Sequence, residues 1–142
     1  MNRSKRLQPI ADIAAHREQE ASKRMAAARA NLDKHRAMLT DLERYHEEYA
    51  QSHNSFADAV RLQDFRLFMD RLEHAIAQQR RLIVTLEREF DTQQDDWRDR
   101  RSQRKALDMA ADRFAREERR IAEQDEQRQI EEIAALLRTR AI

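Results

Sequence analysis

The sequence predicts an all-α protein, a long antiparallel two-helix coiled coil folded as a helical hairpin with an overhanging C-terminal helix. The 142 residues contain no glycine and a single proline, Pro9, so almost every usual helix breaker is missing. Ala, Leu, Arg, Glu, Gln and Met, which lose little on entering a helix, fill most of the chain. Seam residues recur at alternating intervals of three and four, the pattern of a left-handed coiled coil. With 40% hydrophobic, 39% charged and 6% aromatic residues, the chain is thin material for a globular core and suits narrow helices that each bury one stripe.

The first helix is expected over residues 9–51. Its seam runs through Ala14, Ala21, Ala28, His35, Leu42 and Tyr49, with Met25, Leu32, Leu39 and His46 between them. The stretch QSHNSFADA then breaks the rhythm and gathers Ser52, Asn54, Ser55 and Asp58, whose side chains compete with helix hydrogen bonds and serve as caps or turn formers. The connection is placed at residues 52–61, with Ser55 as a candidate cap. The second helix, over residues 62–138, carries its seam from Phe65 through Met69, Leu72, Ile76, Gln79, Ile83, Leu86 and Phe90 to Trp97, Arg104 and Phe114. At 1.5 Å per residue it would span roughly 110 Å.

In an antiparallel pair the residue numbers of facing partners sum to a near-constant. Tyr49 with Phe65, Leu42 with Leu72, His35 with Gln79 and Ala28 with Leu86 share one sum, and Leu39 with Ile76 and Leu32 with Ile83 give the next integer. His35 and Gln79 form a polar layer, read as a hydrogen bond that fixes register at some cost in stability. Towards the open end the seam decays, with Ala14 facing Arg100 and Ala11 facing Arg104. Beyond Leu107 the first helix has no residues left to pair. The remainder is expected to stand as an almost lone helix or else to be partly disordered, with a fresh apolar stripe at Ile130, Ile133, Ala134, Leu137 and Ala141. One domain of residues 1–142 follows from this reading.

Lys+Arg 28 against Asp+Glu 27 gives a formal charge of +1, so the surface as a whole does not attract nucleic acid. The basic cluster RDRRSQRK has no interleaved aromatics and follows an acidic pair. Without glycine there is no phosphate-cradling loop, nucleophile elbow or dinucleotide fingerprint. His16, His35, His46, His53 and His74 form no HxxxH pair, and no cysteine joins them, so no metal or other cofactor is expected. An enzyme is not expected. The basic start leads into an amphipathic pattern, and no apolar run approaches the ~20 residues of a membrane span, so direct membrane insertion is not expected and the cytoplasm is.

SKRLQPIADIA at the start, YHEEY closing the first helix, FRLFMDRLEHAIAQQR opening the second and WRDRRSQRKALD further on, in this order, resemble the FliJ family, coiled-coil proteins of the bacterial flagellar type III export apparatus. That resemblance implies a non-enzymatic stalk whose open end enters the hexameric export ATPase FliI, accompanied by its regulator FliH. It also implies contacts with the cytoplasmic domain of the export gate protein FlhA and with export chaperones, at the inner-membrane export apparatus. Carried over to this chain, the gate-contacting aromatic and leucine fall on Phe68 and Leu72. Phe68 lies one residue off the seam, where a hairpin has no need of an aromatic; Leu72 is also a seam position, so core packing remains open for it. For the ATPase ring the candidates are Arg3, Leu7, Ile10 and Ile13 at the start, and Arg119, Arg120, Ile130, Ile133 and Leu137 on the overhang, where apolar residues without a partner stand beside basic ones. The alternatives are the equivalent stalk of an injectisome and a generic homodimeric coiled-coil scaffold.

Overall fold

The computed structural model describes residues 2–52 and 58–141, and these form two helices, α1 (Arg3–Gln51) and α2 (Ala59–Arg140). The helices divide between two compact units. One combines residues 21–51 of α1 with residues 59–97 of α2; the other combines the first part of α1, to Glu20, with α2 from Arg98 onward.

Both bounding residues of the connection can be read in physical terms. At the end of α1 the Ser52 amide and hydroxyl both donate to the Tyr49 carbonyl, at 3.1 and 2.9 Å, closing a helix end that has no glycine to turn on. Asp58 is the N-cap of α2: its carboxylate accepts from the Arg61 amide at 2.8 Å, and its carbonyl accepts from Leu62. The helix therefore starts at Ala59 and not at residue 62. The Ser55 cap lies outside the described residues.

In the unit of Ala21–Trp97 the helices run antiparallel. Arg36 pairs with Glu87, and seven residues further along α1 Glu43 pairs with Arg80, seven residues back along α2. Among the described residues Leu32, 2% exposed, is the largest fully buried side chain, and Ala21, Leu72, Ile76, Gln79 and Ile83 are buried with it. Every expected seam position of α2 from Phe65 to Phe114 is buried or half-buried. On α1 the same holds from Ala14 to His46, but Tyr49 is exposed and Ala50 is half-buried in its place. Tyr49 sets its ring edge-on to Phe68, with centroids 5.0 Å apart and planes at 68°, instead of filling a layer opposite Phe65.

The two flanks of this unit differ. Arg36, Glu43, Arg80 and Glu87 each follow a seam residue and close one flank with ion pairs. Met38, Tyr45, Phe68 and Leu82 each precede a seam residue, so they lie on the other flank, which also carries the Arg24–Asp96 ion pair, and all four are exposed. Exposed ion pairs of this kind contribute about 1 kcal/mol or less each. The seam carries the stability.

In the other unit the expectation that α2 has no partner beyond Leu107 is corrected. The α1 helix begins at Arg3, ahead of Pro9, and Ser4 is bonded to Glu118. Ala11, expected in a decaying seam, is 3% exposed. Long side chains make the difference: Arg104 reaches back along the seam to Glu18 and also pairs with Asp108 at 2.9 Å. From Arg119 to Arg140 the described side chains of α2 are exposed except Ala134, which is half-buried.

Candidate interaction surfaces

Phe68 and Leu72 are one helical turn apart on α2 but differ in access. Phe68 is 44% exposed, and Leu72, 9% exposed, belongs to the core of the Ala21–Trp97 unit. Tyr49, Arg61, Asp64, Phe65 and Phe68 line a shallow groove, apolar at its floor with one basic and one acidic residue. Val60 and Leu67 are exposed near it on α2. An aromatic held in place by an edge contact and flanked by apolar residues is the composition of a protein-binding hot spot. Tyr49, absent from the sequence-based candidates for this surface, joins it because it has left the seam. Its tyrosine at a seam position beside the connection was the available signal.

His35 and Gln79 meet directly. The Gln79 amide nitrogen lies 2.9 Å from His35 Nδ1 and donates to the His35 carbonyl at 3.0 Å. With the amide donating to both, Nδ1 is the acceptor and the imidazole proton sits on Nε2. The two side chains are thus joined across the seam by the Gln79 amide nitrogen. Replacing Gln79 alone by leucine strands His35 Nδ1 and is expected to destabilise the protein by about 1 to 3 kcal/mol. Replacing both residues by leucine is expected instead to raise stability by roughly 1 kcal/mol or more, because a polar pair gives way to apolar packing. Thermal unfolding of the single and double variants decides the matter, and a double variant weaker than the single would contradict it.

The first turn of α1 builds a second surface. The Glu118 carboxylate accepts from the Ser4 amide at 3.2 Å and from the Ser4 hydroxyl at 2.5 Å. The Ser4 hydroxyl bond holds the Glu118 carboxyl below the usual glutamate range, against the opposing effect of desolvation; amide bonds from Ser4 and Arg3 and the charge of Lys5 act in the same direction as the hydroxyl. The stability this adds is present above the ordinary glutamate titration and is lost as pH falls through the lowered value. The Arg3 guanidinium lies over the Phe114 ring, 5.7 Å from its centroid. Arg3, Phe114, Glu117, Glu118 and Ile121 line one groove, and Arg3, Arg6, Leu7, Ile10 and Phe114 line another.

Of the sequence-based ring candidates, Arg3, Leu7 and Ile10 thus share a neighbourhood with Phe114, with Leu7 half-buried. Ile13 is exposed nearby in sequence. Arg119 and Arg120 are exposed, Arg120 lying 3.9 Å from Glu117, and Ile130, Ile133 and Leu137 stand exposed further along α2. Glu118 was not among the candidates, since one glutamate on a charge-rich helix carries no signal in sequence. Bonds to Glu18 and Asp108 keep Arg104 firmly protonated, with the Glu18 hydrogen bond the larger influence.

Among the described residues no group of histidine and acidic side chains is arranged to hold a metal ion. His53 lies outside them. No helix is long and apolar enough to cross a membrane, again among the described residues.

A family model for the flagellar FliJ protein matches residues 3–141. No curated protein and no solved structure matches the chain.

Proposed function

Because the chain belongs to the flagellar FliJ family, whose members are components of flagellar type III protein export, we propose that it acts there as a non-enzymatic stalk linking the export ATPase ring to the membrane export gate. One observation supports this reading above others: the two sets of candidate contacts belong to different compact units. Phe68 and its groove lie within Ala21–Trp97. Both termini, with the exposed apolar residues Ile10, Ile13, Ile130, Ile133 and Leu137, belong to the other unit. A coupling protein needs two surfaces that can be engaged at once, and a core-forming residue cannot serve as either.

In this assignment Phe68 meets the cytoplasmic domain of the gate protein FlhA, with Leu72 supporting it from the core one turn away. The ATPase FliI, together with its regulator FliH, is met by Arg3, Leu7, Ile10 and Ile13 and by Arg119, Arg120, Ile130, Ile133 and Leu137. Export chaperones are further partners by family resemblance. The protein would work in the cytoplasm, at the inner-membrane export apparatus.

Truncation after Asp108 tests the ring assignment. It is expected to abolish stimulation of the ATPase while the Ala21–Trp97 unit keeps its helical circular dichroism. Undiminished stimulation would sink the assignment, whatever the fate of Phe68.

A further inference from the structure

The first turns of α1 are unusual for a helix start. They contain no acidic residue, while Arg3, Lys5 and Arg6 place positive charge at the end where the helix dipole is already positive. Pro9 follows inside the helix. It offers no amide to the carbonyl of Lys5, and its ring disfavours helical geometry at Gln8. A segment of six residues ahead of such a break does not stay helical by propensity. What holds it is supplied from elsewhere in the same unit: the Glu118 carboxylate of α2, bonded to the amide and hydroxyl of Ser4, and the Phe114 ring beneath Arg3. Glu118 does for α1 what an acidic capping residue normally does from within the helix. Past the proline the situation reverses, because Ala11 is buried and anchors the chain.

We propose that residues 3–8 form a strap, latched by Glu118 and hinged at Pro9, which opens while the rest of α1 stays folded and in opening uncovers the half-buried Phe114 of α2. The charged groups around the latch are Arg3, Lys5 and Arg6 on α1 and Asp112 and Glu117 on α2, three cations against two further acids. Neutralising Glu118 therefore removes the nearest counter-charge to the cationic turn and weakens its bonds to Ser4 together. A partner that offers its own carboxylate to the turn would release the strap by the same exchange. Closed, the strap covers the Phe114 ring; open, it leaves that ring, beside the already exposed Ile121, to a partner. The inference concerns the free protein and does not depend on the stalk reading.

Hydrogen exchange on the full chain tests it, read at the amides of Arg6, Leu7 and Gln8 against those of Ala11 to Glu20. Glu118→Gln keeps the side-chain shape and removes the charge. Exchange at Arg6 to Gln8 is expected to rise about tenfold, the loss typical of a helix cap, with Ala11 to Glu20 unchanged. Ser4→Ala should give a smaller rise at the same amides. Pro9→Ala should slow exchange there and, combined with Glu118→Gln, spread the loosening past residue 9. The native chain has no cysteine, so a single Ala111→Cys thiol, beside Ser4, Lys5 and Gln8, gives a second readout: it should react faster with a maleimide in the Glu118→Gln background. Unchanged exchange at Arg6 to Gln8 in Glu118→Gln overturns the latch. An equal rise from Arg6 through Glu20 overturns the hinge.

Discussion

Phe68→Ala is expected to abolish most of the affinity for the gate protein and, with it, swimming motility, while leaving the helices folded and ATPase binding intact. The ring is 44% exposed and meets Tyr49 edge-on outside the seam, so its removal empties no core layer. The stability cost should stay well under the ~3 to 5 kcal/mol of a buried Phe→Ala change. At a hot spot the same truncation costs about 2 kcal/mol or more of binding, roughly a thirtyfold loss of affinity. Titration of the variant against the gate protein's cytoplasmic domain, alongside a melting curve, separates the two effects. A variant that melts much earlier yet binds normally would return Phe68 to the core and remove the basis for the gate assignment.

Leu32→Ala should give the largest loss of stability of any single truncation to alanine. Leu32 is 2% exposed in a unit whose core is one seam wide, so there is no second layer of side chains to move into the space it leaves. The expected cost is about 2 to 5 kcal/mol, a large share of the 5 to 15 kcal/mol typical of a folded domain. Leu39→Ala, at a half-buried position on the same stripe, should cost less. Urea unfolding followed at 222 nm measures both, and equal costs would mean that the seam is loosely packed throughout.

The repeating part of this fold is legible in the sequence because a coiled coil writes its core at a fixed period. The alternation of three and four places Met25, Leu32 and Leu39 on α1 and Leu72, Ile76 and Ile83 on α2, and all are buried or half-buried. Even the polar pair of His35 and Gln79 could be matched by number, and the two are hydrogen-bonded. Period carries no information about where the pattern gives way. Tyr49 occupies a seam position in the repeat, but beside the connection its ring turns to Phe68. Pro9 argues locally for a helix start, whereas the helix runs from Arg3, since the group that caps its first turn is Glu118, 114 residues away along the chain. Arg104 looks like a flaw in the seam until its length brings it to Glu18. Each departure rests on a pairing between residues far apart in sequence, and the identity of either residue alone does not announce it.

The unequal flanks of the Ala21–Trp97 unit have a consequence for how a partner perceives it. With Arg36–Glu87 and Glu43–Arg80 along one side, and Met38, Tyr45, Phe68 and Leu82 together with the Arg24–Asp96 pair along the other, the two sides of the unit differ. A bare two-helix rod with alike flanks would dock equally well after half a turn about its axis. Here half a turn would set charged pairs against a surface shaped for Phe68, where they would lose water without gaining counter-charges. A partner that recognises this unit therefore fixes its rotational setting as well as its position, and a single angular orientation is selected at the moment of contact.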